Sequence, residues 1–182
     1  MRGRVPISVP TPMSESVWLR EARTFTGGAV ATPHYLASAA GARVLASGGN
    51  AVDAAVAANL VLGVVAPYMC GFGGDLMATI WDGGVRAYRG AGRAPAAATP
   101  TAVRERAGAE VMPVLGPHAV TVPGAVDGWF ALLDVWGTRS FGDLATDARR
   151  YADDGFAPTP TGAWLDRKST RLNSSHTDIS RM

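Results

Sequence analysis

Apolar residues recur at helical spacing in the first third of the chain. Residues 35–47 place leucine, alanine and valine on one face, and the glycine pair beginning at Gly48 is typical of a helix end. Residues 51–65 are apolar nearly all round, which indicates a buried helix. Asn50 precedes this second helix and Asp53 lies three residues later, in the spacing of a capping box. The pattern predicts two adjacent helices, the second of them in the core.

Three more helices are predicted further along. A short alanine-rich helix is expected near residues 99–107. The strongest amphipathic pattern in the chain comes next, and Gly137 ends it. Its apolar stripe consists of Val126, Trp129, Phe130, Leu133 and Trp136. Ser140 and Asp143 have the spacing of a cap for a last helix, which is expected to end at Gly155.

Strands are predicted as one hairpin and two isolated runs. Leu76–Trp81 reads as a strand, the Asp-Gly pair at residues 82–83 is a hairpin turn signal, and Val85–Arg89 returns. Both faces of the first strand carry apolar side chains, which predicts a sheet covered on both sides. Further buried strands are expected at residues 28–32 and 119–122. The fold class predicted from these elements is α/β (α+β).

Composition divides the chain into three parts. Residues 1–25 hold three prolines and no clear period, so they are interpreted as a loose lead-in to a domain at residues 26–165. Residues 166–182 contain the only lysine, Lys168, and supply the whole net charge of +2. They lack helical or strand periodicity and resemble translated adaptor sequence. We therefore expect a disordered, non-native tail.

Charge and cysteine content exclude several kinds of partner. A net charge of +2 is too small for a nucleic-acid-binding surface, so no nucleic acid is expected. The longest apolar stretch, residues 51–66, is too short and too polar to span a bilayer, and no membrane partner is expected. No secretory signal is found, so the sequence leaves the compartment undetermined, with the cytoplasm as the default. Cys70 is the only cysteine and no cluster has metal-ligand spacing, so no metal or cofactor is expected.

Structural interpretations are favoured for several polar or reactive residues. The glycine loop at residues 71–74 follows a helix and precedes a strand, the reverse of the order in phosphate-binding loops, so a tight turn is predicted. Cys70 is interpreted as a buried thiol rather than a nucleophile paired with His34 or His118. Asp53 is a possible general base, but its place in the first turn of a helix explains it electrostatically.

Arg89 and Arg93 are the candidate ligand-binding residues. They flank a glycine-rich segment directly after the predicted hairpin. A guanidinium group can hold a carboxylate through two parallel hydrogen bonds, which suits both arginines to anchoring an acidic substrate. The alternative is a pair of solvated surface charges.

Several strings of the sequence resemble the gamma-glutamyltransferase family. They are Gly-Gly-Ala-Val-Ala-Thr-Pro-His at 27–34, Gly-Gly-Asn-Ala-Val-Asp-Ala-Ala-Val-Ala at 48–57, Gly-Phe-Gly-Gly-Asp-Leu at 71–76, Gly-Arg-Ala-Pro-Ala at 92–96, Val-Pro-Gly-Ala-Val-Asp-Gly-Trp at 122–129 and Asp-Gly-Phe at 154–156. The strings occur in the order of the family, and the resemblance covers roughly residues 26–165.

The resemblance implies an incomplete αββα sandwich of the N-terminal-nucleophile hydrolase type. It implies a precursor that cleaves itself into a large and a small subunit, with the nucleophilic threonine at the new N-terminus of the small subunit. That threonine would transfer the gamma-glutamyl group of glutathione or a related amide to water or an amino acid. The chain resembles the N-terminal part of the large subunit, so no catalytic residue is expected in it. The missing small subunit and a small-molecule gamma-glutamyl substrate are the expected partners.

The resemblance also gives the two arginines a role. Family members hold the substrate's alpha-carboxylate with an arginine that precedes an Ala-Pro pair. Arg93 resembles the subgroup with Gly-Arg-Ala-Pro, and Arg89 is the alternative, because the segment departs from the Arg-Glu-x-Ala-Pro pattern of many members. This departure leaves related acylases of other amides open.

Two other functions remain open from the sequence. One is a non-catalytic ligand-binding or scaffold domain, and the other is the large-subunit half of a related amide acylase. The isolated chain is expected to be inactive. It is also expected to aggregate, since a sheet without its partner strands leaves open edges and exposed apolar surface.

Overall fold

The computed structural model describes residues 25–108, 110–112 and 116–165. In chain order the described elements are α1 (Tyr35–Ala46), α2 (Ala51–Val65), β1 (Leu76–Trp81), β2 (Val85–Gly90), α3 (Pro100–Ala107), α4 (Ala125–Trp136), α5 (Phe141–Leu144) and α6 (Thr146–Asp154). A 3-10 turn covers Pro117–Ala119, and residues 160–165 are helical. The predicted tail at 166–182, and the predicted lead-in except residue 25, lie outside the described residues.

Helix α2 is the centre of the core, as its apolar sequence predicts. Leu60 and Val61 are almost completely buried, and α1 and α6 pack along the helix. Helices α4 and α5 also contact it. The alanines of α2 present little side-chain bulk, so neighbouring helices approach closely and fill the space at high density.

The predicted hairpin is confirmed, and the structure adds its register. Strands β1 and β2 are antiparallel, and their pairing runs from Leu76 opposite Gly90 to Trp81 opposite Val85. Gly83 in the turn has a φ of 65°, a left-handed conformation that glycine adopts without steric cost. Helix α4 packs against both strands.

The prediction that β1 is covered on both faces is wrong for the described residues. Its alternate residues Leu76, Ala78 and Ile80 are partly buried and pack against the core. On the other face, Met77 is 63% and Trp81 is 76% exposed. Successive side chains of a strand point to opposite faces, and the helices described here cover only one of them. Apolar residues on both faces of a strand indicate that burial of both faces is favourable. They do not show that the described residues include a layer that covers each face.

The two isolated strands predicted at 28–32 and 119–122 are also wrong. The only strands within the described residues are β1 and β2, which pair with each other. Residues 28–32 belong to no helix or strand and are largely exposed, and Ala119 ends the 3-10 turn. An apolar run becomes a strand only where a neighbouring strand accepts its backbone hydrogen bonds in series. In the described structure residues 28–32 form no such bond, and residues 119–122 form one to a neighbouring segment, from the Val122 amide to the Arg93 carbonyl oxygen, which is too few for a ladder.

Helix α4 buries only part of its predicted stripe. Trp129 is 1% exposed, whereas Val126 is 39% and Phe130 is 46% exposed. The predicted last helix is divided in two at Ala145, and Ser140 caps the first part by accepting a hydrogen bond from the Asp143 amide. Among the helices described here, none is both long and apolar enough to cross a lipid bilayer.

Candidate functional site

Arg89 and Arg93 lie at the end of the hairpin and beyond it. Arg89 pairs with Met77 in the register, so both side chains lie on the uncovered face of the sheet. Arg93 follows the last residue of β2 by three positions, and both arginines are exposed. The ion pairs found among the described residues involve neither of them. The structure therefore leaves both guanidinium groups available to an anionic ligand.

The backbone between the arginines crosses a second segment at very close range. We call the contact of residues 90–93 with residues 121–124 the glycine crossing. The Val122 amide donates a hydrogen bond to the Arg93 carbonyl oxygen over 3.4 Å. A Cβ atom on Gly92 would overlap the carbonyl group of Val122, and one on Gly124 would overlap the carbonyl group of Gly90. Only glycine permits this approach of backbone to backbone.

The glycine loop before β1 also contacts this region. The Gly74 carbonyl oxygen accepts hydrogen bonds from the Gly124 and Ala125 amides, at 3.0 and 2.9 Å. The Thr121 hydroxyl donates to Asp75 Oδ1 over 3.2 Å. The loop thus uses one of its carbonyl groups to accept hydrogen bonds from the amides at the start of α4. This is a structural role, as predicted from the position of the loop between a helix and a strand.

Cys70 has none of the features of an activated nucleophile. Its thiol is partly buried, and burial raises its pKa, which disfavours the reactive thiolate. None of the hydrogen bonds found among the described residues joins it to His34 or His118. The interpretation of Cys70 as a packed thiol agrees with this environment.

Asp53 is fully buried at the start of α2 and acts as a structural acceptor. Its Oδ2 accepts from the Asn50 amide and the Thr138 hydroxyl, at 2.9 and 2.5 Å, and its Oδ1 accepts from the Thr138 and Arg139 amides. Burial alone would raise the pKa of Asp53, but these hydrogen bonds outweigh it and hold the pKa below its ordinary value. A carboxylate that holds its charge this firmly is a poor general base. We call Asn50, Asp53, Thr138 and Arg139 the Asp53 clasp.

His34 is a second buried polar residue, and it caps α1. Its Nδ1 accepts a hydrogen bond from the Leu36 amide over 3.3 Å, and its ring packs against Tyr35 and Phe156. Its Nε2 is buried and has no hydrogen-bond partner among the described residues. Burial lowers the pKa of His34 below 6.5, because the charged ring loses its hydration.

The chain is expected to lose stability when acidification protonates His34. Its folded-state pKa lies below the unfolded value of 6.5, so the unfolded chain takes up the proton first. The stability due to the neutral ring is complete above pH 6.5 and falls as the pH drops through the lowered pKa. Urea unfolding between pH 8 and pH 5 measures this loss. A His34→Asn variant, which keeps a capping acceptor, should show a flatter profile in that window, and an equally steep one would contradict the assignment.

The remaining candidate sites are less suited to chemistry. A cavity of about 490 Å³ is lined by apolar residues around Tyr68 and Phe156 and carries no charged side chain. Within the ranges that the structure describes, no three His, Cys, Asp or Glu side chains are grouped closely enough to hold a metal ion. Arg89 and Arg93 stay the candidates that the sequence predicts for binding a charged substrate.

Comparison with known proteins places the chain in a family. The sequence profile described as Gamma-glutamyltranspeptidase matches residues 37–181. The chain belongs to this family. It is 43% identical over 134 residues to the Glutathione hydrolase-like YwrD proenzyme of Bacillus subtilis, covering 70% of this chain and 24% of that relative. It is 35% identical over 165 residues to the Acylase ACY 1 proenzyme of a Pseudomonas species, covering 85% of this chain and 29% of that relative. The chain therefore spans about a quarter of the length of these relatives.

Solved structures agree with the family assignment. Gamma-glutamyltranspeptidase from Pseudomonas nitroreducens, complexed with L-DON, superposes with a TM-score of 0.72 at 33% identity, over 85% of this chain and 47% of that one. The mixed helix and strand fold is thus an incomplete αββα sandwich of the N-terminal-nucleophile hydrolase type, with a two-stranded sheet in the described residues. The sequence resemblance and the fold class are confirmed. The roles of Arg89 and Arg93 stay predictions.

The sequence does not reveal two long-range contacts of the structure. The glycine crossing joins segments about thirty residues apart, and the Asp53 clasp joins residues 85 positions apart. Pairs of glycines at 90 and 92 and at 124 and 128 are the available signal for the crossing, because several glycines near a strand end often mark close backbone contact.

Proposed function

We propose that this chain is the N-terminal part of the large subunit of a proenzyme that transfers gamma-glutamyl groups of glutathione or related amides to water or amino acids. The observation that carries the proposal is the 43% identity to a protein named as a glutathione hydrolase-like proenzyme. The free guanidinium groups of Arg89 and Arg93 support it, since a gamma-glutamyl substrate carries a carboxylate that needs a cationic anchor.

The chemistry would be completed by a small subunit of the same precursor. The hydroxyl oxygen of its N-terminal threonine attacks the amide carbon, and the threonine's own amine accepts the proton. The C–N bond then breaks, and the leaving amine takes that proton. Water or an amino acid attacks the acyl-enzyme and releases the threonine. This chain contributes substrate anchoring and part of the scaffold.

Arg93 is the first candidate for the anchor, and Arg89 is the second. The Arg93 backbone is held at the glycine crossing by Val122, which fixes where its side chain starts. Arg89 lies on a regular strand, facing the uncovered side of the hairpin. In the complete sandwich that face would be covered by a second sheet, and Arg89 would then line the space between the two sheets.

An amide acylase is the second candidate function. The 35% identity to an acylase proenzyme over 165 residues supports it, as does the Gly-Arg-Ala-Pro string at residues 92–95. A non-catalytic scaffold domain is the third. The three are separated by whether the full-length precursor cleaves itself and by which amides it then hydrolyses.

The anchoring role is tested in the full-length precursor that carries this segment. Arg93→Ala is expected to raise KM for a gamma-glutamyl anilide roughly 10- to 100-fold, because a charge-assisted pair of hydrogen bonds is lost. Arg86→Ala, an exposed arginine of the same hairpin, is the matched control and should leave KM unchanged. The 182-residue chain alone should turn over no anilide. A larger KM effect of Arg89→Ala would transfer the role to that residue.

Other outcomes of this experiment decide between the functions. Self-cleavage with hydrolysis of other acyl amides, and none of gamma-glutamyl anilides, would favour the acylase. A precursor that neither cleaves itself nor hydrolyses any amide would favour the scaffold domain. Turnover by the isolated 182-residue chain would contradict the division of the catalytic site between two subunits.

A further inference from the structure

We propose that the glycine crossing positions Arg93 for substrate binding, a role that rests on the proposed function of Arg93 as the carboxylate anchor. The crossing would set the place and direction in which the arginine leaves the backbone. Gly92, Val122 and Gly124 are then positioning residues that act through Arg93 and need not touch the substrate.

The crossing is a contact of two backbones with no space for adjustment. A Cβ on Gly92 would meet the carbonyl carbon and oxygen of Val122, and a Cβ on Gly124 would meet the carbonyl group of Gly90. Gly90 is itself buried, although it ends a strand whose residues are mostly exposed. Residues 90–92 therefore cannot move toward residues 121–124. The position of the Arg93 backbone is fixed as a result.

Hydrogen bonds hold the second segment from the other side. The Val122 amide donates to the Arg93 carbonyl oxygen, and the next peptide groups, at Gly124 and Ala125, donate to Gly74. The Thr121 hydroxyl donates to Asp75 at the start of β1. The segment is thus tied to the loop before β1 and to the chain after β2. These links place Arg93 relative to the whole hairpin.

Arg93 has no other support of this kind. Its side chain is exposed, and no ion pair or side-chain hydrogen bond holds it within the described part of the chain. A long, flexible side chain binds a carboxylate through two parallel bonds more favourably when its Cα atom is held in a fixed position. For Arg93, the backbone contacts of the glycine crossing fix this position.

The test uses the full-length precursor and compares KM with kcat. Gly92→Ala is expected to raise KM for a gamma-glutamyl anilide roughly tenfold with little change in kcat, because misplacing a binding group weakens substrate and transition state alike. Gly84→Ala is the matched control, since a Cβ there meets open space at the hairpin turn. It should leave KM unchanged.

The double variant Gly92→Ala/Arg93→Ala separates positioning from general damage. If Gly92 acts through Arg93, the double variant has the KM of Arg93→Ala alone, since the residue being positioned is already gone. Multiplicative effects of the two changes would overturn the positioning role. An Arg93→Ala variant with wild-type KM would overturn the anchoring role first, and this proposal with it.

Thr121 provides a milder variant in case Gly92→Ala prevents folding and self-cleavage. Thr121→Val removes the hydrogen bond to Asp75 while keeping the side-chain shape, and it is expected to raise KM about threefold. Thr121→Ser keeps the hydroxyl and should restore the wild-type value. Equal KM values for wild type, Thr121→Val and Thr121→Ser would overturn the proposal.

Discussion

Asp53→Ala is expected to lower the free energy of unfolding by about 3 kcal/mol, because buried donors lose their acceptor. The Asp53 side chain is fully buried, and its two oxygens accept four hydrogen bonds from three residues of the Asp53 clasp. Alanine replaces none of these bonds and leaves a small cavity. A typical domain is stable by only about 5–15 kcal/mol, so the variant loses much of its margin.

The Asp53 clasp joins the start of α2 to the turn after α4. Asn50 extends it, because its side-chain amide donates to the Trp136 carbonyl oxygen over 2.5 Å. The Arg139 guanidinium adds a hydrogen bond to the Ser47 carbonyl oxygen at the end of α1. Loss of Asp53 therefore removes three of the hydrogen bonds between this turn and α2, as well as a helix cap.

Urea unfolding followed by circular dichroism measures the effect, as a fall of ~1.5 M in the midpoint. Asp147→Ala is the matched control. Asp147 also accepts hydrogen bonds from two partners, Arg43 and Arg150, but these pairs lie at the surface, so a cost of at most about 1 kcal/mol is expected. Equal midpoint shifts for the two variants would show that the Asp53 clasp adds no more than a surface ion pair.

The contribution of Asp53 also has a defined pH range. Its folded-state pKa lies below its ordinary value of 3.8, so the native chain binds this proton less readily than the unfolded chain. The stabilisation is present above pH 3.8 and disappears as the pH falls through the lowered pKa. The difference between wild type and Asp53→Ala should therefore shrink only in strong acid.

Local sequence patterns predict the elements that are stabilised by contacts between residues close in sequence. Helices α1 and α2, the cap at Asn50 and the turn at Gly83 each depend on contacts within a few residues, and the structure has all of them. The hairpin register follows from the same turn. A segment whose backbone hydrogen bonds are formed within a few residues has few other favourable conformations.

The misplaced predictions concern contacts between distant segments. Apolar character at residues 28–32 and 119–122 predicts burial, but whether such a run becomes a strand depends on which backbone lies beside it. The local spacing predicts the capping box of Asn50 and Asp53, whereas the bonds of Asp53 to Thr138 depend on how the chain returns 85 residues later. The same limit applies to the arginines, whose surroundings come from the crossing of two segments that no local pattern relates.

Trp129→Ala is expected to lower the free energy of unfolding by about 4 kcal/mol, the usual cost of removing a large buried aromatic ring. Trp129 is the largest of the almost completely buried side chains among the described residues. Its indole nitrogen donates a hydrogen bond to Asn59 Oδ1 over 2.9 Å, so the substitution also leaves a partly buried amide oxygen without its donor.

The ring also joins the core to the glycine loop before β1. Phe72 of that loop packs edge-on against Trp129, with 5.4 Å between ring centroids, and its ring also lies against Gly63 of α2. Phe141 contacts the indole from another direction. The loop binds the start of α4 through Gly74. Removing the indole is thus expected to loosen the loop as well as the core.

Trp81→Ala is the control for this prediction, since Trp81 is 76% exposed and its loss should cost little in the isolated chain. Circular dichroism in urea reports both variants without depending on indole fluorescence. Limited proteolysis adds a second readout, because cleavage near Phe72 should accelerate in Trp129→Ala and stay at the wild-type rate in Trp81→Ala. Equal midpoints for the two variants would mean that the helices hold together without the indole. In that case the backbone hydrogen bonds alone would hold the glycine loop in position.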